Sequence, residues 1–579
     1  MRPRSAAQYA LLAALLLLLG AFLLLPIWMT VRGAFAADVS TGDGFTLEHV
    51  LWVFQDPVLR LGLANSLAIA ACTTLCCTCL ALPLAVLSAR YRFPLKGLWN
   101  AAVLVPMILP PFVGAIGLKA ILGRFGALNT LLGTEIDFLG NPDWRFFGVV
   151  IAEALYLYPI MYLNATAALA NIDPALEEAA DNVGSTPLRR FFRVTLPLIR
   201  PGLFAGGTII FIWSFTELGT PLMFDYYTVT PVQIFFGIKE LGTSAQPYAL
   251  TVIMLLLAVL LYVTGKTLFG GRSYAMYSKA SRAAAEKPLA GPFALLATGL
   301  FALVTCFALL PHTGVILGSF AAEGAWYRSV LPRDLTTHHY ATALGHPLAF
   351  GSIVNSLVYS SLAVSLDIIL GVLIGYLLVR TKIKGRAVLD ALSMLPLAVP
   401  GLVMAFGYVA LSVELGRHWP FKDTGTGAPI NISIIGAEPN PLVLLVIAYS
   451  VRRLPYVVRA TVAGLQQTSA ELEEAAVNLG ASAIRSIRQI VVPLIAANLI
   501  AGGLLAFSFA MLEVSDSLIL AQREDHYPFT KAIFTFTERL GDGHAIASAM
   551  GVWGMALLTV TLAGASIMMG RKLGAIFRA

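Results

Sequence analysis

Long apolar runs separated by short polar stretches dominate the chain. Twelve of them fall near 9–31, 61–88, 98–122, 147–169, 199–222, 248–270, 291–318, 351–379, 386–411, 441–463, 495–520 and 544–570. A helix needs about 20 apolar residues to cross a ~30 Å hydrocarbon layer, and each run approaches or exceeds that length. Strands of a membrane barrel would be about 10 residues long with alternating polarity, and these runs do not alternate. The pattern predicts an all-α polytopic membrane protein with 12 transmembrane helices. Arg2, Arg4, a leucine-rich run and Ala34-Phe35-Ala36 also resemble a cleaved signal peptide. The apolar core of such a peptide spans only about 7–15 residues, so an uncleaved first span is expected.

Composition narrows the class further. Of the 579 residues, 58% are hydrophobic and 12% charged, whereas a soluble domain carries about 25% charged residues. With a mean hydropathy of +0.79, a soluble enzyme, a disordered chain and a collagen-like fibre are excluded. The net charge of +7 could point to nucleic acid, but its placement does not. With the N-terminus inside, basic residues concentrate in the inner loops: Arg90, Arg92 and Lys96; Arg189, Arg190 and Arg193; Lys279 and Arg282; Arg380, Lys382, Lys384 and Arg386. This is the positive-inside bias of a membrane protein. The expected partner is membrane lipid and no nucleic acid, with both termini cytoplasmic.

The twelve runs form one six-span unit written twice. Asn65-Ser66-Leu67 returns as Asn355-Ser356-Leu357, and Pro106, Pro110 and Gly117 return as Pro396, Pro400 and Gly407, all at an offset of 290. Beyond the third span the offset becomes 296: Pro159 matches Pro455, Gly184 matches Gly480, Pro197 matches Pro493 and Glu217 matches Glu513. The shift falls in an outer loop, where insertions are tolerated. A first domain at 1–270, a cytoplasmic linker at 271–290 and a second domain at 291–579 are expected. Both halves would enter the membrane in the same orientation, as parallel repeats about an axis along the membrane normal.

The inner loop between the fourth and fifth spans carries the strongest signal. The first copy, 173–197, contains Glu178-Ala179-Ala180 and Gly184; the second, 469–493, contains Glu474-Ala475-Ala476 and Gly480. Asp173 before Pro174 reads as an N-cap and first-turn proline, and Thr468 with Glu471 has capping-box spacing. Each glycine is placed to end a short helix in the left-handed conformation.

Glu-Ala-Ala, three residues, Gly, nine residues, then Ile-x-Leu-Pro resembles the EAA loop in permease subunits of bacterial ABC importers. The first copy departs only with Val194 in the Ile position and the second only with Val492 in the Leu position. The resemblance spans nearly the whole chain and is strongest to the tandem permeases of the ferric-iron importer group, with a type I importer fold. It implies a non-enzymatic transport subunit in the bacterial inner membrane that binds no cofactor itself. Its partners would be two copies of a cytoplasmic ATPase that hold ATP-Mg, and a periplasmic or extracellular substrate-binding protein. Glu178, Ala179, Ala180, Gly184, Glu474, Ala475, Ala476 and Gly480 would couple the chain to the ATPase. Ferric iron is the first substrate implied, with thiamine, 2-aminoethylphosphonate or a phosphosugar as alternatives. An ion-gradient-driven secondary transporter is the rival from another class, since its major fold also repeats six spans.

Ionisable groups within spans are costly and default to functional candidates. Glu217 and Glu513 are repeat-related, Asp516 follows one turn on, Asp367 lies in the eighth span and Arg452-Arg453 in the tenth. They are pathway candidates, or else buried structural partners. Cys72, Cys76 and Cys79 share one face of the second span, but their second-half counterparts contain no cysteine, so small residues at a helix contact are expected rather than a metal site. His338-His339 are expected to be solvated. Gly265-Lys266-Thr267 imitates the end of a phosphate loop, yet Leu260 replaces its first glycine, so no nucleotide site is expected.

Overall fold

The computed structural model describes residues 4–38, 42–137, 139–240, 244–269, 286–418 and 440–569. Of the expected linker, 271–285 lies outside the described residues; at its end, Lys287–Pro288 pairs in parallel with Tyr91–Arg92. Among the described residues, eight helices are long and apolar enough to cross a membrane, and three bent pairs raise the number to as many as 11. The expected tenth span is a helix, Leu442–Gln467, but it carries Arg452, Arg453 and Arg459 and is less apolar than the others.

Several runs expected as single spans are broken. The third is split into Lys96–Ala102, a tight turn at Val105–Ile108 and Pro111–Leu122. Its counterpart, Arg386–Leu397 with Gly401–Leu415, bends by 102°. The cause is local: Pro110 and Pro400 lack the N–H that a continuing helix requires and push the preceding residue out of the α region. The seventh bends by 44° at Leu309, and the eleventh by 78° at Ile495.

The described chain forms two compact units that do not follow the sequence halves. One comprises the described residues of 4–60, 233–255 and 338–569; the other comprises those of 61–232 and 256–337. In the former, the first span supplies Leu12, Leu15 and Leu19 to a core with Leu370, Ile374, Leu377 and Leu454. Tyr408 donates its hydroxyl hydrogen to the Phe22 carbonyl at 2.7 Å. In the latter unit, Leu310–Phe320 from the seventh span packs on Pro111–Leu122.

Repeat-related glycines permit both approaches. A Cβ on Gly117 would lie 2.2 Å from the Pro311 carbonyl oxygen, and one on Gly407 would lie 2.8 Å from that of Pro26. Such backbone-to-backbone contact is how helices associate in lipid, where burying apolar surface gives little drive. The opening span of each half is thus seated against the third-span segment of the opposite half.

Candidate functional site

The loop after the fourth span folds as its sequence dictates. In the first half the Asp173 side chain accepts from Ala175 N at 3.0 Å and starts the helix Pro174–Asn182. Gly184 stops it with φ +76°, and Ser185 N closes the turn on the Ala180 carbonyl at 3.0 Å. Thr186 then caps Pro187–Arg190, which runs through a wide turn at 191–195 into the fifth span.

The second half repeats this with Glu471–Asn478 and Gly480 at φ +89°. The expected capping box does not form, because Ser469 Oγ takes the Glu471 N–H at 3.2 Å and Thr468 is engaged elsewhere. No atom lies within 4 Å of a Cβ placed on Gly184 or Gly480. Their positive φ, not crowding, selects glycine there.

Each loop presents the same apolar face. Leu176, Val183 and Leu188 are exposed, and so are Leu472, Leu479 and Ile484, their counterparts at the offset of 296. Val183 is 84% and Leu479 90% exposed, which no folding requirement of the loops explains. Glu178, Ala179, Glu474 and Ala475 lie exposed on these helices, while Ala180 and Ala476 are half-buried. The acids that turn inward are instead Glu177 and Glu473. Glu177 Oε1 pairs with Arg90 Nη2 at 2.8 Å, and Glu473 Oε1 with Arg380 Nε at 2.7 Å. Sequence reasoning passed over these glutamates because the motif selects the next residue; their place one helical step back on the buried face was the available signal.

The candidate pathway residues separate into two environments. In the second half, Arg452 donates to Glu513 Oε1 at 2.5 Å and to Asp516 Oδ2 at 3.2 Å, while Arg453 pairs with Glu513 Oε2. Arg453 also donates to the Phe509 carbonyl at 3.2 Å and lies over its ring. Gly401 leaves room for the Arg452 head, since a Cβ there would sit 2.3 Å from Nη2. Glu513 and Asp516 are buried, and Asp516 Oδ1 and Arg453 Nε have no hydrogen-bond partner among the described residues. Asp367 accepts from Ser450 Oγ at 2.6 Å and lies within electrostatic reach of Arg453.

Both repeat-related glutamates fall within their expected runs but just past the helices that fill them. The helices end at Phe215 and Met511, so Glu217 and Glu513 occupy the bends before Gly219–Met223 and Ser515–Leu520. Glu217 Oε1 accepts from Thr220 N and Oγ1, both at 3.3 Å. Tyr156 and Leu157 occupy the first-half positions of Arg452 and Arg453.

The first half adds a group that sequence reasoning missed. Glu153, within the fourth span, is 1% exposed and accepts from Ser214 Oγ and from Thr73 Oγ1, the latter at 3.4 Å; its Oε1 has no hydrogen-bond partner among the described residues. An acid between Ala152 and Ala154 in an apolar run was signal enough.

Other candidates resolve simply. Among the described residues, no three His, Cys, Asp or Glu side chains converge as a metal cage. Cys72 and Cys76 are half-buried and Cys79 exposed on the second span. His339 is buried rather than solvated, because its helix 338–345 packs against the last span. Gly265 lies inside the helix Gln246–Phe269, where its missing side chain admits the Phe204 ring.

Known proteins carry the same pattern. Residues 81–272 and 367–569 each match the family of binding-protein-dependent transport system inner membrane components. A putative ferric transport system permease protein of Haemophilus influenzae is 27% identical over 88% of this chain and 77% of its own length. A ferric transport system permease protein of Actinobacillus pleuropneumoniae is 28% identical over 88% of this chain and 71% of its own. A probable molybdenum ABC transporter permease of Haloferax volcanii is 31% identical over 44% of this chain and 87% of its own, about one repeat. With two matched segments that together cover most of its length, the chain belongs to the family of binding-protein-dependent transport system inner membrane components, as a tandem permease.

Proposed function

We propose that this chain is the complete membrane pathway of an ATP-driven importer for ferric iron, with 12 spans in two parallel halves and both termini in the cytoplasm. The observation that carries the reading is the doubled loop surface. Leu176, Val183 and Leu188, and their counterparts Leu472, Leu479 and Ile484, form two equivalent apolar faces, beside Glu178 and Glu474. Two equivalent faces call for two equivalent partners, and a two-copy ATPase holding ATP-Mg supplies them. Apolar side chains seated in a groove would carry the binding energy, and each exposed glutamate would meet a basic group at its rim.

On this reading an iron-loaded binding protein docks on the outer loops 33–60 and 319–350. Closure of the ATPases then pushes the two loop helices, and the pathway switches its open side. Iron as cargo is supported by the names of the two relatives that match 88% of this chain and by the preference of a hard cation for oxygen ligands. Glu513 is occupied by two guanidinium groups, so its role is structural. Glu153 and Glu217 in the first half are the carboxylates suited to meet a passing cation.

The test is isolation of the tagged chain from native membranes, identification of the proteins retained, and iron uptake into vesicles. The expected result is a co-purifying ATPase at two copies per chain and uptake that requires ATP and the binding protein. In the same vesicles, Glu178→Arg with Glu474→Arg should abolish uptake without removing the chain from the membrane. Uptake driven by an ion gradient without ATP would instead establish a secondary transporter.

A further inference from the structure

Behind each exposed loop helix lies a largely buried ion pair. Its arginine is the last residue of the second span: Arg90 ends the 34-residue helix Pro57–Arg90, and Arg380 ends the 34-residue helix Pro347–Arg380. The acid is Glu177 or Glu473 on the loop helix. The pairs measure 2.8 and 2.7 Å, with all four side chains between 11 and 16% exposed. Both partners recur at the repeat offsets, so the same contact was kept in two halves that have otherwise diverged in buried charge.

We propose that Arg90–Glu177 and Arg380–Glu473 are tethers that carry movement of the loop helices into the membrane, which makes these four positioning residues for transport. This rests on the importer reading. Without the tether each loop helix is held by its chain ends and, in the first half, by the Asp181–Arg190 pair across the Gly184 turn. One end is a left-handed glycine turn, at Gly184 or Gly480, and turns of that kind absorb a push by rotating. A charge-assisted hydrogen bond shielded from water is stronger and less screened than an exposed one. It fixes the helix at a further point, on the rigid end of a span.

The third partner of each tether differs, and this gives the halves different linkages. Glu177 Oε1 also accepts from Thr195 Oγ1 at 2.8 Å, at the head of the fifth span. The second-half counterpart of Thr195 is Val491, which has no hydroxyl. There Arg380 Nη2 instead donates to Thr468 O at 3.0 Å and Oγ1 at 2.9 Å, just beyond the fourth span; the first-half counterpart of Thr468 is Ile172. The first loop helix therefore moves spans two and five together, and the second moves spans two and four.

The experiment uses the full chain reconstituted with its ATPase and binding protein. It compares R90E, E177R, R380E and E473R with the double reversals R90E/E177R and R380E/E473R. Readouts are bound ATPase, basal hydrolysis, binding-protein-stimulated hydrolysis and iron uptake. Each single reversal is expected to lower stimulated hydrolysis and uptake by about tenfold or more, with bound ATPase and basal hydrolysis retained. Each double reversal should recover most of the loss, as coupled partners do. Should a single reversal fail to accumulate, Glu177→Gln and Glu473→Gln keep the size and one acceptor oxygen and take its place under the same readouts. Normal stimulation in the single variants overturns the tether. So does a double that stays inactive although present and ATPase-bound. Loss of the ATPase from the single variants also overturns it, since the pairs would then shape the docking face rather than transmit its motion. An unaltered chain that retains no ATPase defeats the importer reading itself.

Discussion

Removing Glu513 should expose how the buried charge cluster is held. In Glu513→Ala, Arg453 keeps the Phe509 carbonyl at 3.2 Å and the ring beneath it, with Asp367 and Asp516 within electrostatic reach, while Arg452 keeps Asp516 at 3.2 Å. The two arginine side chains are 20% and 12% exposed, so water replaces little of the lost charge. Breaking a buried pair on one side costs about 3–5 kcal/mol, and the Asp516 contact places this case near ~3 kcal/mol. Arg453→Ala should cost less, because Glu513 retains Arg452 at 2.5 Å. The double variant removes both orphaned groups, so its loss should fall short of the summed singles by about 1–2 kcal/mol. Heat-induced loss of the monodisperse, detergent-solubilised chain measures this at one scan rate, because such unfolding is a rate rather than an equilibrium. Strictly additive losses would refute the cluster as described.

Three further expectations follow from separate features. Gly117→Ala and Gly407→Ala should each destabilise by about 1–3 kcal/mol, since their Cβ atoms meet backbone at 2.2 and 2.8 Å, whereas Gly97→Ala, with nothing within 4 Å, should leave the melting temperature unchanged. Burial pushes Lys531, on the loop helix Phe529–Thr537, down to about 8 from 10.5; Glu538 opposes that shift and Lys239 adds to it. The unfolded chain then binds a proton that the folded one lacks between about pH 8 and 10.5, so stability should rise there by up to ~1.4 kcal/mol per pH unit. Lys531→Met should flatten that rise in a series of melting curves. Val183→Asp with Leu479→Asp should reduce ATPase co-purification while the chain's own melting temperature holds, and unchanged co-purification would remove the apolar faces from the docking argument.

The repeat was legible because prolines, glycines and acids at two fixed offsets survive divergence, and the loop helices were legible because their caps are local. The breaks in the third spans were written in Pro106, Pro110, Pro396 and Pro400, which also served as repeat markers; hydropathy sums over such a break and reports one run. Which helices neighbour one another was not legible. Leu12, Leu15 and Leu19 state that a face is apolar, and nothing in them names Leu370 or Leu377 as the other side. Periodicity alone could place Glu177 and Glu473 inward, but only the fold sets Arg90 and Arg380 beside them. Glu153 was open to the same rule that flagged Glu217.

The seating of each opening span against the opposite half fixes an order of assembly. At about 5–20 residues per second, the first span is in the bilayer for on the order of tens of seconds before Gly401–His418 emerges to receive its Leu25–Phe35 end. Through that interval its future seam faces lipid or an insertion factor, and the unit formed from 61–232 and 256–337 completes first. Severing the chain at 271–290 would yield two fragments, neither of which holds all the spans of either compact unit. Each would mature only by finding the other, so the fusion guarantees one-to-one supply of two halves that must trade a helix.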